Sequence, residues 1–311
     1  MDIIQVITKE LNVEKWQVEA AVKLIDEGCT IPFISRYRKE ATGSLNDEQL
    51  RTLHERLTYL RNLEEKKNQV LGSIEEQGKL TAELKKQILD AQTLVVVEDL
   101  YRPFRPKRRT RAIIAKEKGL EPLANIIMLQ MTDKPIEEEA QDFVSEDKGV
   151  ESVADAINGA KDIIAEHISD EADYRIYLRK LTMDKGSVAS TAKKPEETSV
   201  YEMYYEFEEP IKKLAGHRVL ALNRGEKEKI LTVKVNAPEE EAMGWLQKQV
   251  ITKENPITKP ILREVVEDSY KRLIAPAIER EIRSDLTEKA EDGAIHVFGK
   301  NLEQLLMQPP I

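Results

Sequence analysis

Residues Ser44–Gly78, SLNDEQLRTLHERLTYLRNLEEKKNQVLGSIEEQG, decide the fold class. Leu50, Leu53, Leu57 and Leu60 recur at 3-4-3 spacing, with Leu63, Val70, Leu71 and Ile74 beyond them. That spacing draws one apolar stripe along a helix, where a strand would alternate with period two. Ser44 and Asn46 stand where capping residues belong, so a long helix starts near Asp47 and Gly78 ends it. The stretch is a long rod or hairpin arm.

Toward the N-terminus, Val18, Ala21, Val22 and Ile25 repeat at i, i+3, i+4 and i+7, predicting a helix over Glu14–Glu27 that stops at Gly28. Ile3, Val6, Ile7 and Leu11 suggest a shorter helix before it. Together with Ile31-Pro32-Phe33-Ile34 they compose a helix-turn-helix-like start, although plain helical hairpins share the pattern. Toward the C-terminus, Thr81 caps the next helix, whose Leu84, Ile88 and Ala91 face a core. Leu94-Val95-Val96-Val97 is β-branched but lies between helical patterns with no strand to pair with, and reads as buried helix. Helices are expected over Ala112–Lys118, Leu120–Gln130, Ile136–Val144, Val150–His167 and Asp170–Asp184.

Ser187–Ser199 has almost no large apolar residue and reads as a linker or mobile loop. Val219–Leu222, Asn223-Arg224-Gly225 and Ile230–Val235 read as a small β-hairpin, with Leu231, Val233 and Val235 on its apolar face. Ile261–Leu286 is a long helix that Pro276 should kink, and Ile295–Met307 is a last helical stretch. The expected architecture is mainly α. It is an irregular multi-helix assembly with a helix-turn-helix-like N-terminal unit, a long helical arm and a small β-hairpin. Its expected organisation is a helical region at 1–186, a linker at 187–199 and a hairpin with long helices at 200–311.

Composition agrees. The 311 residues include only 13 Gly, 13 Pro and 5% aromatics, too few turn and aromatic residues for a large sandwich or barrel. No run approaches about 18 apolar residues, the first residues lack the features of a signal peptide, and the single Cys29 cannot form an intrachain disulfide. A cytoplasmic protein with no membrane partner is expected, with Cys29 as a small core residue. The net charge of −9 is uneven. Asp133–Asp155 carries nine acids against Lys134 and Lys148, a local −7. Opposite in sign, Arg102, Arg105, Lys107, Arg108, Arg109 and Arg111 fall within ten residues without an acid.

The chemistry of catalysis is thinly represented. His54, His167, His217 and His296 lie far apart, and none has the Glu-x-x-His spacing of a metal-binding helix, so no metal or cofactor is expected. Gly72–Gly78-Lys79-Leu80 misses a phosphate-binding loop twice: five residues separate the glycines, and Leu80 stands where Ser or Thr would bind Mg²⁺. There is no Gly-x-Ser-x-Gly elbow. A non-enzyme is expected.

The basic loop is the strongest local signal, and two readings fit it. In one, its arginines neutralise phosphates while Tyr101 and Phe104 stack on unpaired bases. In the other, those aromatics anchor the loop in a core and the bases pair with acidic helices. Arg36, Arg38 and Lys39 form a smaller patch of the same kind.

Two stretches then point to a family. Thr30-Ile31-Pro32-Phe33-Ile34-Ser35-Arg36-Tyr37-Arg38-Lys39-Glu40-Ala41-Thr42-Gly43 and Glu98-Asp99-Leu100-Tyr101-Arg102-Pro103-Phe104-Arg105-Pro106-Lys107-Arg108-Arg109-Thr110-Arg111-Ala112 resemble the Tex family of bacterial transcription accessory proteins. Weaker agreement runs through His217-Arg218 and Asn223-Arg224-Gly225 to Asn301-Leu302. The resemblance implies a multi-domain nucleic-acid binder in which this helical region precedes an RNase-H-like (YqgF-type) domain, helix-hairpin-helix modules and an OB-fold RNA-binding domain. The chain stops at Gln308-Pro309-Pro310-Ile311, about where the RNase-H-like domain would begin, and is expected to be a piece of a longer protein. It implies no catalytic residues in the two stretches. The reading is a non-catalytic nucleic-acid-binding scaffold of low sequence specificity, with phosphate contacts from the loop bases first and Arg36, Arg38 and Lys39 second. The alternative is a protein-interaction scaffold that docks RNA polymerase or other domains of the parent.

Overall fold

A computed structural model describes residues 2–308; Pro309, Pro310 and Ile311, which end the stretch read as a domain boundary, lie outside the described residues. The chain divides into two compact units between Arg105 and Pro106. The first contains α1 (Ile3–Leu11), α2 (Lys15–Asp26), α3 (Ile31–Tyr37), α4 (Lys39–Thr42), α5 (Asp47–Glu76), α6 (Ala82–Asp90) and α7 (Leu94–Tyr101). α5 is the long helix of the leucine stripe. Asn46 accepts from the Gln49 amide at 2.8 Å and Gln49 returns the bond at 3.0 Å, a capping box that satisfies two otherwise orphaned donors. At the other end Gly78 adopts φ +66°, and the Lys79 amide donates back to the Ile74 carbonyl.

An apolar stripe along a helix thirty residues long needs cover, and α1, α2, α3, α6 and α7 supply it by packing along α5. The long helix is therefore the spine of its unit. Leu50, Leu53, Leu57, Leu60, Leu63, Val70 and Ile74 are all buried, and each large aliphatic side chain so buried contributes roughly 1.5–3 kcal/mol. Lys67 lies on the same buried face. Its ammonium donates to the Leu89 carbonyl at 2.8 Å and pairs with Glu64 at 3.2 Å, so the charge is answered without reaching water. Leu94–Val97 is helical within α7, as expected, because Val97 turns into the core and Thr93 caps the start. Cys29 packs against the edge of this core.

The second unit contains α8 (Arg111–Glu117), α9 (Glu121–Leu129), α10 (Ile136–Gln141), α11 (Val153–Asp170), α12 (Ala172–Lys185), α13 (Gly216–Lys227), α14 (Glu239–Val250), α15 (Thr258–Asp268) and α16 (Ala275–Leu306). Three strands, β1 (Ser187–Ala192), β2 (Glu206–Pro210) and β3 (Leu231–Asn236), form an antiparallel sheet in the order β2-β1-β3. α11 is central, packed by α8, α9, α10 and α15.

Two sequence expectations are corrected here. Val219–Leu222 is not the first strand of a hairpin but part of α13: Val219, Leu222 and Gly225 are buried at helical spacing. Gly225 serves packing, since a Cβ there would meet Leu231 Cδ1 at 2.6 Å. The partner of β3 is instead β1, drawn from the segment read as a linker. Ser187–Ala192 lacks bulk, yet it alternates, with Val188 and Ser190 buried, and it is hydrogen-bonded on both sides as the central strand. The compositional boundary at 187–199 therefore falls inside a unit. Pro276 lies at the junction of two helical segments. A π-helical turn, Ser269–Ile274, precedes it, so the missing N–H falls in the first turn of α16. Ile295–Met307 continues α16 to Leu306, with its side chains exposed. No described helix is long and apolar enough to cross a membrane.

Candidate nucleic-acid interface

The basic stretch follows α7, where Pro103 and Pro106 stop the helix for want of N–H donors. Up to Arg105 it belongs to the first unit. The Tyr101 hydroxyl meets Ser73 Oγ at 2.9 Å, Gln77 Nε2 donates to the Phe104 carbonyl at 3.0 Å, and both rings pack against the leucine core. These partly buried aromatics anchor the chain, as the second of the two readings expects. Arg102 is half-buried and engaged by other groups. Arg105 is exposed, and among the described residues it meets no carboxylate.

From Pro106 onward the stretch belongs to the second unit, and here the bases differ sharply. The Lys107 ammonium lies between two carboxylates of α11, bonded to Asp170 and 3.5 Å from Glu166. With side-chain exposures of 22%, 10% and 18%, this is a sheltered clasp, so Lys107 fastens the loop and offers little charge to a phosphate. Arg108 is exposed and faces no acid among the described residues. Arg109 pairs with Glu117 at 3.0 Å, but both are open to water, and such pairs are worth only about 0–1 kcal/mol. Arg111, in the first turn of α8, lines a cleft of about 370 Å³ with Asn158, Lys161, Asp162, Glu264 and Asp268. There burial holds the Asp162 carboxyl above its usual range, while the cations of Arg272 and Arg111 pull it down.

The smaller patch is in the first unit. α3 turns Ile34 into the core, which leaves Phe33, Arg36 and Tyr37 on the solvent side. Phe33 is 39% and Tyr37 66% exposed, with ring centroids 5.4 Å apart and planes tilted by 44°. The Arg38 guanidinium lies 5.6 Å from the Phe33 centroid, and Lys39, which opens α4, is exposed. Sequence reasoning found these bases but missed their aromatic neighbours. The signal was present: Phe33 and Tyr37 are four apart and straddle Arg36, on a face that excludes Ile34.

The histidines show no convergence; His167 pairs with Glu171 at 3.6 Å on the surface. Among the described residues no group of three or more His, Cys, Asp or Glu side chains is placed to hold a metal ion.

Comparison with known proteins follows the same two-part division. The Tex-like protein N-terminal domain matches residues 1–75, inside the first unit, and the Tex central region matches residues 131–298, inside the second. The Bacillus subtilis (strain 168) protein YdcI is 49% identical over 310 residues, 99% of this chain and 43% of its own length. The Transcriptional accessory protein Tex of Neisseria gonorrhoeae is 37% identical, over 100% of this chain and 42% of its own length. The human S1 RNA-binding domain-containing protein 1 is 32% identical, over 100% of this chain and 32% of its own. The chain thus spans about two-fifths of the bacterial relatives' length. With one domain of the family matched in each unit and the similarity running through the whole sequence, the chain belongs to the Tex family of transcription accessory proteins.

Proposed function

We propose that this chain is a non-catalytic, cytoplasmic nucleic-acid-binding scaffold within a transcription accessory protein, gripping phosphates with little regard to sequence. One observation carries the reading: of the nine bases singled out by sequence, Arg36, Arg38, Lys39, Arg105, Arg108, Arg109 and Arg111 all expose their side chains. Guanidinium and ammonium groups held open to solvent exchange condensed counterions for contact with a phosphodiester backbone, which gives affinity that is electrostatic and indifferent to base identity. The names of the gonococcal and human relatives, a transcriptional accessory protein and an S1 RNA-binding domain protein, favour the same setting.

The second reading, a scaffold that docks RNA polymerase or the parent's other domains, draws on the end of α16. There Ile295, Phe298, Leu302, Leu305 and Leu306 are exposed. Salt dependence separates the two. Fluorescence anisotropy of labelled strands and duplexes, DNA and RNA, should give affinity that falls steeply with salt for the wild type. It should be largely lost when Arg105, Arg108, Arg109 and Arg111 become Ala in a protein with unchanged circular dichroism. Affinity that ignores salt, or survives those substitutions, refutes the phosphate reading.

A further inference from the structure

Six aromatic side chains of the first unit sort into two groups. Tyr59, Tyr101 and Phe104 pack against the leucine core, whereas Phe33, Tyr37 and Trp16 stay exposed. Folding does not account for the second group, because exposed rings forgo the burial that makes aromatics useful to a core. The chain around Phe33 and Tyr37 is predominantly basic. Between Thr30 and Gly43 lie Arg36, Arg38 and Lys39 against the single acid Glu40.

The arrangement is held from behind. Ile34 and Thr42 are buried, Gln17 Nε2 donates to the Thr42 and Gly43 carbonyls at 3.2 and 3.0 Å, and the Trp16 ring sits on Gly43. Gly43 is at φ +63°, and a Cβ there would come 2.6 Å from Trp16 Cη2, so glycine both closes α4 and seats the indole. Along the chain, Tyr37 precedes Arg38 and Lys39, and Trp16 caps the far end of the same helix. Exposed rings and exposed cations are therefore concentrated on α3 and α4, with Arg38 over the Phe33 ring and Trp16 against Gly43.

We infer that the α3–α4 face, through Phe33, Tyr37 and Trp16 with Arg36, Arg38 and Lys39, is a stacking site for unpaired bases of single-stranded nucleic acid. The inference rests on the nucleic-acid reading above and narrows it to a strand whose bases are free. Rings stack on any base and cations follow the backbone, which gives single-strand affinity without sequence preference. A duplex keeps its bases stacked on one another and can use only the cations.

The test compares an oligothymidylate with a duplex of equal length by fluorescence anisotropy, on the whole chain and on F33L/Y37L. Leucine keeps apolar area at exposed positions and removes the rings, so circular dichroism and thermal midpoint should not move. Expected is a loss of about 5- to 100-fold in oligothymidylate affinity, with duplex affinity and the salt slope unchanged. Loss of affinity for both ligands alike overturns stacking. So does oligothymidylate affinity within twofold of wild type while the Arg105, Arg108, Arg109 and Arg111 alanine variant loses binding; that result leaves the phosphate reading standing. If the wild type binds neither ligand, the phosphate reading fails and takes the stacking site with it.

Discussion

Lys107 and its neighbours Arg105 and Arg108 look interchangeable in the sequence, but the structure pairs Lys107 with two carboxylates and leaves Arg105 and Arg108 exposed. Lys107→Met keeps the aliphatic stem and removes the ammonium that Asp170 and Glu166 share, at a site where the three side chains are 10–22% exposed. Removing the cation from two sheltered, partly exposed carboxylates should cost about 2 kcal/mol, within the range of a charged hydrogen bond and below that of a fully buried broken pair. For a unit of this size that lowers the thermal midpoint by roughly 4–8 °C. The slope of log affinity against log salt should stay the same, because Nζ was never available to a phosphate. Arg105→Ala with Arg108→Ala should do the reverse. Stability stays within about 0.5 kcal/mol, and the slope falls by about 1.4 on a single strand or 1.8 on a duplex, two contacts' worth. Urea unfolding at neutral pH reads the first quantity and anisotropy across a salt series the second. A Lys107→Met protein of unchanged stability whose slope drops by a full contact would refute the clasp.

Two glycines should respond oppositely to alanine in urea unfolding. Gly186→Ala brings a Cβ to 2.4 Å from the Thr182 carbonyl oxygen and 2.9 Å from that of Asn236, both backbone, and should cost about 3 kcal/mol. Gly244→Ala, in the middle of α14 with nothing within 4 Å, should add about 0.5–1 kcal/mol. The Arg283 guanidinium bonded to Glu226 holds that carboxyl below its usual range. Its contribution is complete above the unfolded pKa of about 4.3 and is lost as pH falls through the lower folded value. Glu226→Gln should therefore lower the thermal midpoint at pH 7 and converge with wild type in acid. Burial, with Glu239 nearby, pushes the Tyr270 hydroxyl up to about 12. Burial also raises Tyr174 and Tyr201, so in an ultraviolet titration several tyrosines should ionise above the ordinary value of about 10, and one late step should disappear in Tyr270→Phe. Stability should decline over the same interval, since the unfolded chain ionises first.

Much of the helical architecture was legible because it is local. The α5 stripe, its Asn46 cap, its Gly78 stop and the Thr81 start are each properties of a few consecutive residues, and helical hydrogen bonds close within them. The sheet was not legible in the same way. β1 has small side chains and becomes a strand only because β2 and β3 bond to both of its edges, partners that lie as far away in the chain as Asn236 is from Ser187. Asn223-Arg224-Gly225 shows the converse: a strong turn signal is overridden because α13 buries Val219, Leu222 and Gly225 against β3.

The same division holds for the candidate site. From sequence alone, composition and spacing determined a mainly helical protein and a dense run of bases, since charge density and helical period are written residue by residue, while the family resemblance rested on the Thr30–Gly43 and Glu98–Ala112 stretches. Only the tertiary structure decided what each base can do. Lys107 is taken up by two carboxylates of α11 that are 59 and 63 positions away in the chain, Tyr101 and Phe104 are drawn into the leucine core, and Phe33 and Tyr37 are left facing water. Burial and pairing are set by which distant side chains share a neighbourhood, and that neighbourhood exists only once the chain has folded.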